Sequence, residues 1–252
     1  MTKGNYHIFA LSENTLTIQF EKRIAESQVR FLHGLKSRIQ ASAWPAVLDI
    51  LVTFHELSVI FDPDIESFDS LQQKMLYLLE NRNESLDNFG AQKGKSFNIP
   101  VCYDGEMAWD KHRIEEKTGL PFSKIISLHN GGKYLIYMFG FLPGFMYLGG
   151  LHEKLFCPRL EVPRQKVLPG SIGIAGSQTG IYPMESPGGW NIIGRTPLSI
   201  MNFDSDPTSH RILAPVTFQP LDQIRFTAIS LEIYKELEGM SIEAYQNTIE
   251  NT

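Results

Sequence analysis

Hydrophobic and polar residues alternate along the first third of the chain in a pattern that predicts strands and helices in turn. Residues 15–20 (TLTIQF) alternate with the period of a strand, whereas apolar residues recur at helical spacing in residues 24–40. Two further apolar runs, residues 47–54 and 57–61, predict a hairpin, and residues 67–80 predict a second helix. This order indicates an α+β layer of the ferredoxin-like kind, with helices packed on one face of a sheet. Alternation in the hairpin predicts that one strand face is shared by Leu48, Ile50, Val52 and Phe54.

A polar segment without hydrophobic periodicity follows this layer at residues 81–98. We predict an N-terminal domain over residues 1–90, a linker over residues 91–98 and a second domain over residues 99–252. The second domain opens with an apolar strand (IPVCY), followed by two short helical stretches and then by strands and turns.

Glycine and proline are concentrated in residues 140–197, which hold 11 of the 20 glycines and 7 of the 14 prolines. Within residues 165–194 the charged side chains are those of Lys166 and Glu185, and isoleucine, tyrosine and tryptophan are interspersed among the glycines. A flexible linker of this kind would be hydrophilic, so short apolar strands joined by tight turns fit the pattern better. We therefore predict a β-barrel in the second domain.

Residues 134–151 (YLIYMFGFLPGFMYLGGL) carry no charge over a length that approaches that of a membrane span. Pro143 and the glycines of this segment would leave backbone groups without partners in lipid, and the sequence has no second hydrophobic span to satisfy them. We predict a buried strand that runs into a turn-rich pocket wall, and no contact with a membrane.

Charge, cysteine and histidine content exclude several other classes of protein. The chain has 23 Lys and Arg against 28 Asp and Glu, a net charge of −5 that argues against a nucleic-acid partner. Cys102 and Cys157 lie far apart, and the histidines form no HExxH pattern, so neither a disulfide framework nor a metal site is predicted. Residues 1–11 lack the apolar core of a signal peptide, so we expect a cytoplasmic protein.

Two glycine-containing motifs differ from the nucleotide-binding loops that they resemble. Residues 90–96 (GAQKGKS) have three residues, not four, between the first glycine and Gly-Lys-Ser. Gly170, Gly173 and Gly176 recur every third residue, which is not the spacing of the dinucleotide-binding motif. Neither segment therefore predicts a nucleotide site.

Three arginines are candidates for binding an anion. Arg159 and Arg164 each follow a proline, and Arg195 follows the glycine-rich run, so rigid turns could aim guanidinium groups at a carboxylate or phosphate. Surface ion pairing with Glu153 or Glu161 explains the same residues equally well. Three aromatic residues could line such a pocket or belong to the barrel core: Tyr147, Tyr182 and Trp190.

His129 ends a short helical stretch just before a turn. As a cation it could interact with the negative end of the helix dipole, or it could act as an acid or base at the rim of a pocket. The sequence leaves both interpretations open.

Six segments carry a resemblance to a known family, in the order and spacing that its members show. They are IPVCYDGE, TGLPFSKIISLHNGGKY, YMFGFLPGFMYLGGL, CPR, VPR and PGSIGIAGSQTGIYPMESPGGWNIIGRTPL. On these motifs the chain resembles the family of B-type 5-oxoprolinase subunits, which includes the KipI inhibitor of a sporulation kinase and the small-subunit domain of allophanate hydrolase and urea carboxylase. The resemblance covers the second domain up to residue 225 and extends loosely to the first.

The resemblance implies an N-terminal α/β domain, a cyclophilin-like β-barrel and a role in an ATP-dependent complex that hydrolyses 5-oxoproline to glutamate. It implies ATP, bound on this chain or on a partner, and C-type and A-type 5-oxoprolinase subunits as partners, without which the chain is expected to be inactive. Two alternatives stay open: a KipI-type protein that binds a sensor histidine kinase, and a subunit that acts on allophanate or urea-derived amides. Neighbouring genes for the other two subunits would favour the 5-oxoprolinase.

Within this family we hypothesise that Arg195 and His129 are catalytic and that Arg159 or Arg164 holds the carboxylate of the substrate. Backbone N–H groups of glycines would stabilise the negative charge that develops during the reaction. The predicted substrate-binding residues are Gly144, Tyr147, Arg159, Arg164, Gly176, Gln178, Thr179, Tyr182, Gly189 and Trp190.

Overall fold

The structure is a computed structural model that describes residues 6–81, 94–201 and 218–250. Its contacts divide the chain into two compact units, residues 1–93 and 94–252. Each unit has its own buried hydrophobic core, as expected of a separately packed domain.

The predicted linker, residues 91–98, is described in its second half. That half contains the beginning of a strand, Ser96–Cys102, so the first strand of the second unit starts before the predicted boundary at residue 99. Residues 82–93 lie outside the described residues. The rest of the predicted domain boundaries stay predictions.

The first unit combines a four-stranded sheet with two helices. Its elements, in chain order, are β1 (His7–Ser12), β2 (Thr15–Gln19), α1 (Glu26–Ala41), β3 (Val47–Val52), β4 (Glu56–Phe61) and α2 (Phe68–Glu80). The predicted strands and helices are confirmed to within a few residues. The sequence pattern does not predict β1, because five of its six residues are exposed and the strand lacks a buried alternate face.

The ferredoxin-like arrangement expected of this unit is not confirmed. A ferredoxin-like layer runs βαββαβ, whereas this unit runs ββαββα, with antiparallel strands in the order β1-β2-β4-β3. Its core is formed by side chains that include Leu16, Ile18, Leu32, Leu35, Leu71 and Met75.

The predicted shared face of β3 is wrong at Leu48, which is 64% exposed, whereas Ile50 is 3% exposed. The pairing of β3 with β4 shifts register between Val47 and Asp49. A bulge of this kind inserts an extra residue and so breaks the alternation of faces along the strand.

The described parts of the second unit contain nine strands and four α-helices. In chain order these are β5 (Ser96–Cys102), α3 (Lys111–Thr118), α4 (Phe122–Asn130), β6 (Tyr134–Phe139), β7 (Met146–Gly149), β8 (Arg164–Val167), β9 (Ser171–Ala175), β10 (Gln178–Ile181), β11 (Ser186–Gly188), β12 (Asn191–Arg195), β13 (Gln223–Ile229), α5 (Leu231–Leu237) and α6 (Ile242–Glu250).

Seven of these strands close into a barrel in the order β10-β7-β6-β13-β5-β12-β9. Strands β13 and β5 are parallel, and the other neighbouring pairs are antiparallel. The predicted β-barrel is therefore confirmed, and its cyclophilin-like topology stays a prediction. The uncharged residues 134–151 form β6, β7 and the loop between them. None of the helices described here combines the length and apolar character that a membrane crossing demands.

Glycines on the outside of the barrel leave room for large side chains. Along β9 and β10, Ile172, Ile174 and Ile181 belong to the core, so the alternate residues Gly173 and Gly180 face outward. A Cβ atom at Gly180 would lie 3.0 Å from Cζ3 of Trp190 and 2.8 Å from the carbonyl oxygen of Met146. Glycine therefore allows an aromatic layer to lie directly on the sheet.

Candidate functional site

Four aromatic rings pack together on this outer face of the barrel. The ring centroid of Phe145 lies 4.9 Å from that of Tyr147, 5.1 Å from that of Tyr182 and 5.4 Å from that of Trp190. We call these four residues the outer aromatic cluster. Tyr182 is buried, whereas Tyr147 and Trp190 are partly exposed. The structure thus brings three predicted substrate-binding residues together.

Arg159 lies beside this cluster. A Cβ atom at Gly189 would be 3.1 Å from Nη2 of Arg159, so the glycine lets the guanidinium approach the backbone next to Trp190. The backbone N–H of Leu160 donates to the Gly189 carbonyl at 2.7 Å, and this bond holds the arginine in place. Arg159 is exposed, and no carboxylate in the described ranges forms an ion pair with it.

The two tyrosines of the cluster remain neutral hydrogen-bond donors near neutral pH. Burial raises the pKa of Tyr147, and the positive charge of Arg159 opposes this rise. Burial raises the pKa of Tyr182 to about 12, against the opposing effects of a hydrogen bond with the Trp190 backbone and of the Arg159 charge. The exposed guanidinium of Arg159 can therefore offer charge and hydrogen bonds to a small anion, beside the partly exposed ring of Tyr147.

Gln178 adds a polar group on the same face of β10 as Gly180. Its side chain is 6% exposed, and its Nε2 atom has no hydrogen-bond partner. A buried donor without a partner destabilises the folded protein. A ligand that accepts its hydrogen bond would remove this penalty.

Arg164 is engaged elsewhere. It forms an ion pair with Asp110, whose side chain is 6% exposed, and its guanidinium lies 5.7 Å from the ring centroid of Trp109. The second carboxylate oxygen of Asp110 accepts a hydrogen bond from the backbone N–H of Ile192 at 2.6 Å. Because its charge is already balanced, Arg164 is a poorer candidate than Arg159 for the carboxylate of a substrate.

Arg195 does not join the other predicted residues. It ends the five-residue strand β12, which begins next to Trp190, so it lies roughly 15 Å from Trp190 along the chain direction. Its Nε donates to the carbonyl of Pro169 at 2.7 Å, and its charge opposes the rise that burial causes in the pKa of Tyr234 on α5.

His129 lies in the barrel interior, fully buried, and not at the rim of a pocket. Its Nδ1 is 2.7 Å from the hydroxyl of Tyr103, its Nε2 is 3.1 Å from the hydroxyl of Thr179, and its ring stacks on Phe226. Burial lowers the pKa of His129 to about 3, so the imidazole is neutral near pH 7. The structure therefore does not support the hypothesis that His129 is a catalytic acid or base at a pocket rim.

Three other predicted site residues have structural roles. Thr179 is fully buried and donates to the Gly173 carbonyl at 3.0 Å. The backbone N–H of Gly176 donates to the Cys157 carbonyl at 2.7 Å and is thus not free to stabilise a reacting group. Gly144 is buried and adopts a φ of 76°, a backbone conformation that favours glycine.

Sequence reasoning missed Asp110 and Tyr103. Asp110 precedes α3 as a capping residue would, yet it makes no side-chain capping bond and instead contacts residues far along the chain. Tyr103 ends an apolar run whose pattern gives no sign of the His129 hydrogen bond. In the part of the chain that the structure describes, no group of three or more His, Cys, Asp or Glu side chains could hold a metal ion.

Comparison with known proteins agrees with the motif resemblance. Residues 6–211 match the family model of the carboxyltransferase domain, subdomain C and D. The chain is 31% identical over 236 residues to the B-type 5-oxoprolinase subunit of Bacillus subtilis, covering 91% of this chain and 95% of that protein. It is 32% identical over 227 residues to the B-type 5-oxoprolinase subunit of Haemophilus influenzae, covering 90% and 100% of the two chains. The chain belongs to the family of B-type 5-oxoprolinase subunits.

The fold of this family member also occurs within much larger proteins. The crystal structure of urea amidolyase from Kluyveromyces lactis superposes with a TM-score of 0.72 at 15% identity, over 96% of this chain and 16% of that one. At this identity the similarity establishes a shared fold. The two bacterial relatives are named as subunits of 5-oxoprolinase, a hydrolase complex, so the resemblance on which the predicted sites depend is confirmed at the level of the family.

Proposed function

We propose that this chain is the B-type subunit of an ATP-dependent 5-oxoprolinase, which hydrolyses 5-oxoproline to glutamate together with C-type and A-type subunits. The observation that carries the proposal is the identity of about 30% over nearly the whole length of proteins named as B-type 5-oxoprolinase subunits. Because the proposed activity belongs to the complex of all three subunits, the chain is expected to be inactive alone.

The chemistry explains why such a complex needs ATP and an anion site. The lactam amide of 5-oxoproline is a poor electrophile, and phosphorylation of its oxygen would supply a leaving group. ATP would bind on this chain or on a partner, and the chain's own contribution would be to hold the substrate while charge develops.

The outer aromatic cluster and Arg159 support this contribution. Arg159 would bind the carboxylate of 5-oxoproline, and the rings of Tyr147 and Trp190 would cover the flat lactam. The unsatisfied Nε2 of Gln178 would donate a hydrogen bond to the lactam carbonyl oxygen. We assign no proton transfer to Arg195 or His129, because the first lies at the other end of β12 and the second is sealed in the core.

Co-expression with candidate C-type and A-type subunits tests the proposal. A purified stoichiometric complex is expected to release glutamate from 5-oxoproline in an ATP-dependent manner, whereas the chain alone is expected to release none. A soluble, stoichiometric complex that forms no glutamate would contradict it. The kinase-inhibitor and allophanate alternatives stay hypotheses, because the likeness to urea amidolyase supports the fold alone.

A further inference from the structure

A cleft of about 480 Å³ opens in the second unit, and its lining includes Trp109, whose ring centroid lies 5.7 Å from the guanidinium of Arg164. It lies where β5 ends and α3 and α4 begin, and its lining includes Tyr103, Asp104, Glu106, Trp109, Lys111 and Phe122. This volume falls within the range of roughly 300–1,000 Å³ that small-molecule sites occupy. None of the predicted substrate-binding residues lines this cleft.

Hydrogen bonds fix the walls of the cleft in advance. The backbone N–H of Met107 donates to the Asp104 carbonyl at 3.0 Å, and that of Lys111 donates to the Ala108 carbonyl at 3.1 Å. The backbone N–H of Asp110 donates to the Ile192 carbonyl at 2.9 Å, which ties this turn segment to the barrel. A ligand that enters the cleft would therefore lose little free energy to ordering of the protein.

The cleft presents charges of both signs that do not neutralise one another. Asp104 and Glu106 line it together with Lys111. Within the described residues none of these three side chains takes part in an ion pair. The ammonium of Lys111 lies 5.4 Å from the ring centroid of Phe122, held over an apolar surface. A ligand whose charges are all of one sign would be attracted by some of these groups and repelled by the others.

Apolar side chains line the same cleft as the charged groups. Trp109 is 39% exposed, Phe122 is nearly buried, and Ile126 is partly buried in the same cleft. These side chains suit a short hydrocarbon segment between two charged ends. A small zwitterion with a few methylene groups therefore matches both the charges and the size of the cleft.

We propose that this cleft binds a small zwitterionic amino acid, with its ammonium at Asp104 and Glu106 and a carboxylate at Lys111. The choice of L-glutamate as the ligand rests on the proposed function. Hydrolysis of the lactam adds one water molecule and converts the amide into a carboxylate and an ammonium, with net charge unchanged. Glutamate therefore carries the positive charge that 5-oxoproline lacks, and the cleft distinguishes the product from the substrate.

Calorimetric titration of the isolated full chain tests this site with three probes. L-glutamate is expected to bind saturably, whereas 5-oxoproline and glutarate, which lack an ammonium, are expected to bind at least tenfold more weakly. Loss of a charge-assisted hydrogen bond has an effect of this size. Equal affinity for glutamate and glutarate, or no saturable binding of glutamate, would overturn the proposal.

Variants locate the binding in the cleft. Lys111→Met and Glu106→Gln are both at exposed positions and are each expected to weaken glutamate binding about tenfold or more. The matched control Lys124→Met removes an exposed lysine of α4 that does not line the cleft, and it is expected to leave affinity unchanged. If Lys111→Met binds as tightly as the parent chain while its circular dichroism is unchanged, the proposal is wrong.

The outcome is independent of the test of the proposed function. Binding to the isolated chain requires neither ATP nor partner subunits, so its absence leaves the glutamate-release assay of the complex to decide the function. Conversely, suppose that the complex is inactive but the chain binds glutamate in a manner that depends on Lys111. The proposed binding site would then stand, and the proposed 5-oxoprolinase function would be wrong.

Discussion

Two polar and aromatic groupings on the same barrel have opposite properties. Outside the barrel, Arg159 is exposed beside the outer aromatic cluster and forms no ion pair within the described residues. Inside it, His129 is fully buried and hydrogen-bonded to Tyr103 and Thr179. The difference shows that burial and hydrogen bonding, and not only residue type, determine what a polar side chain can do here. An accessible cation can bind a ligand, whereas a sealed, neutral imidazole can serve the fold.

The largest effect is expected on the outside of the barrel. Arg159→Gln should lower kcat/KM of the assembled complex for 5-oxoproline by roughly a hundredfold, because it removes a charge-assisted contact with the carboxylate. The measurement is steady-state glutamate release in the presence of ATP. Arg225→Gln removes another exposed arginine, on β13, and should change the rate little. Equal activities of the two variants would exclude Arg159 from substrate binding.

The next effect concerns stability and comes from the inside of the barrel. The pKa of His129 in the folded protein, about 3, is below its usual value of 6.5 in an unfolded chain. As pH falls below 6.5, the unfolded chain therefore binds a proton that the folded protein does not, and stability decreases. We expect this histidine to lower the free energy of unfolding by up to about 1.4 kcal/mol for each unit that the pH falls between pH 6 and pH 4.

Urea unfolding at a series of pH values measures this slope. His129→Gln should flatten the dependence of the unfolding free energy on pH, whatever its effect on stability at pH 7. The control His112→Gln alters a histidine whose side chain is 94% exposed and should keep the slope of the parent protein. If His129→Gln has the same dependence of unfolding free energy on pH as the parent protein, the prediction is wrong. The imidazole of His129 would then accept a proton while the protein stays folded.

The sequence predicts the barrel better than it predicts the site. Short apolar strands and glycine-rich turns leave a local pattern, so the barrel follows from composition and alternation. The sequence does not predict β1, because its residues are mostly exposed and do not alternate between buried and exposed. Asp110 lies 54 residues from Arg164 along the chain, and Thr179 and Tyr103 lie 50 and 26 residues from His129, so no local pattern records these contacts. Trp190 and Arg195 belong to the same motif, yet the length of β12 separates them.

The smallest effect is expected for Arg195, and it tests whether the motif or the geometry locates the site. Arg195→Ala should change kcat/KM of the complex by less than about threefold, because the side chain donates a hydrogen bond to the Pro169 carbonyl and lies far from the outer aromatic cluster. The same glutamate-release assay, with melting temperature as a check on folding, makes the measurement. A loss as large as that of Arg159→Gln in a stably folded variant would place the reaction at the other end of β12. In that case the outer aromatic cluster would not be the active site, and the substrate would bind near Arg195 instead.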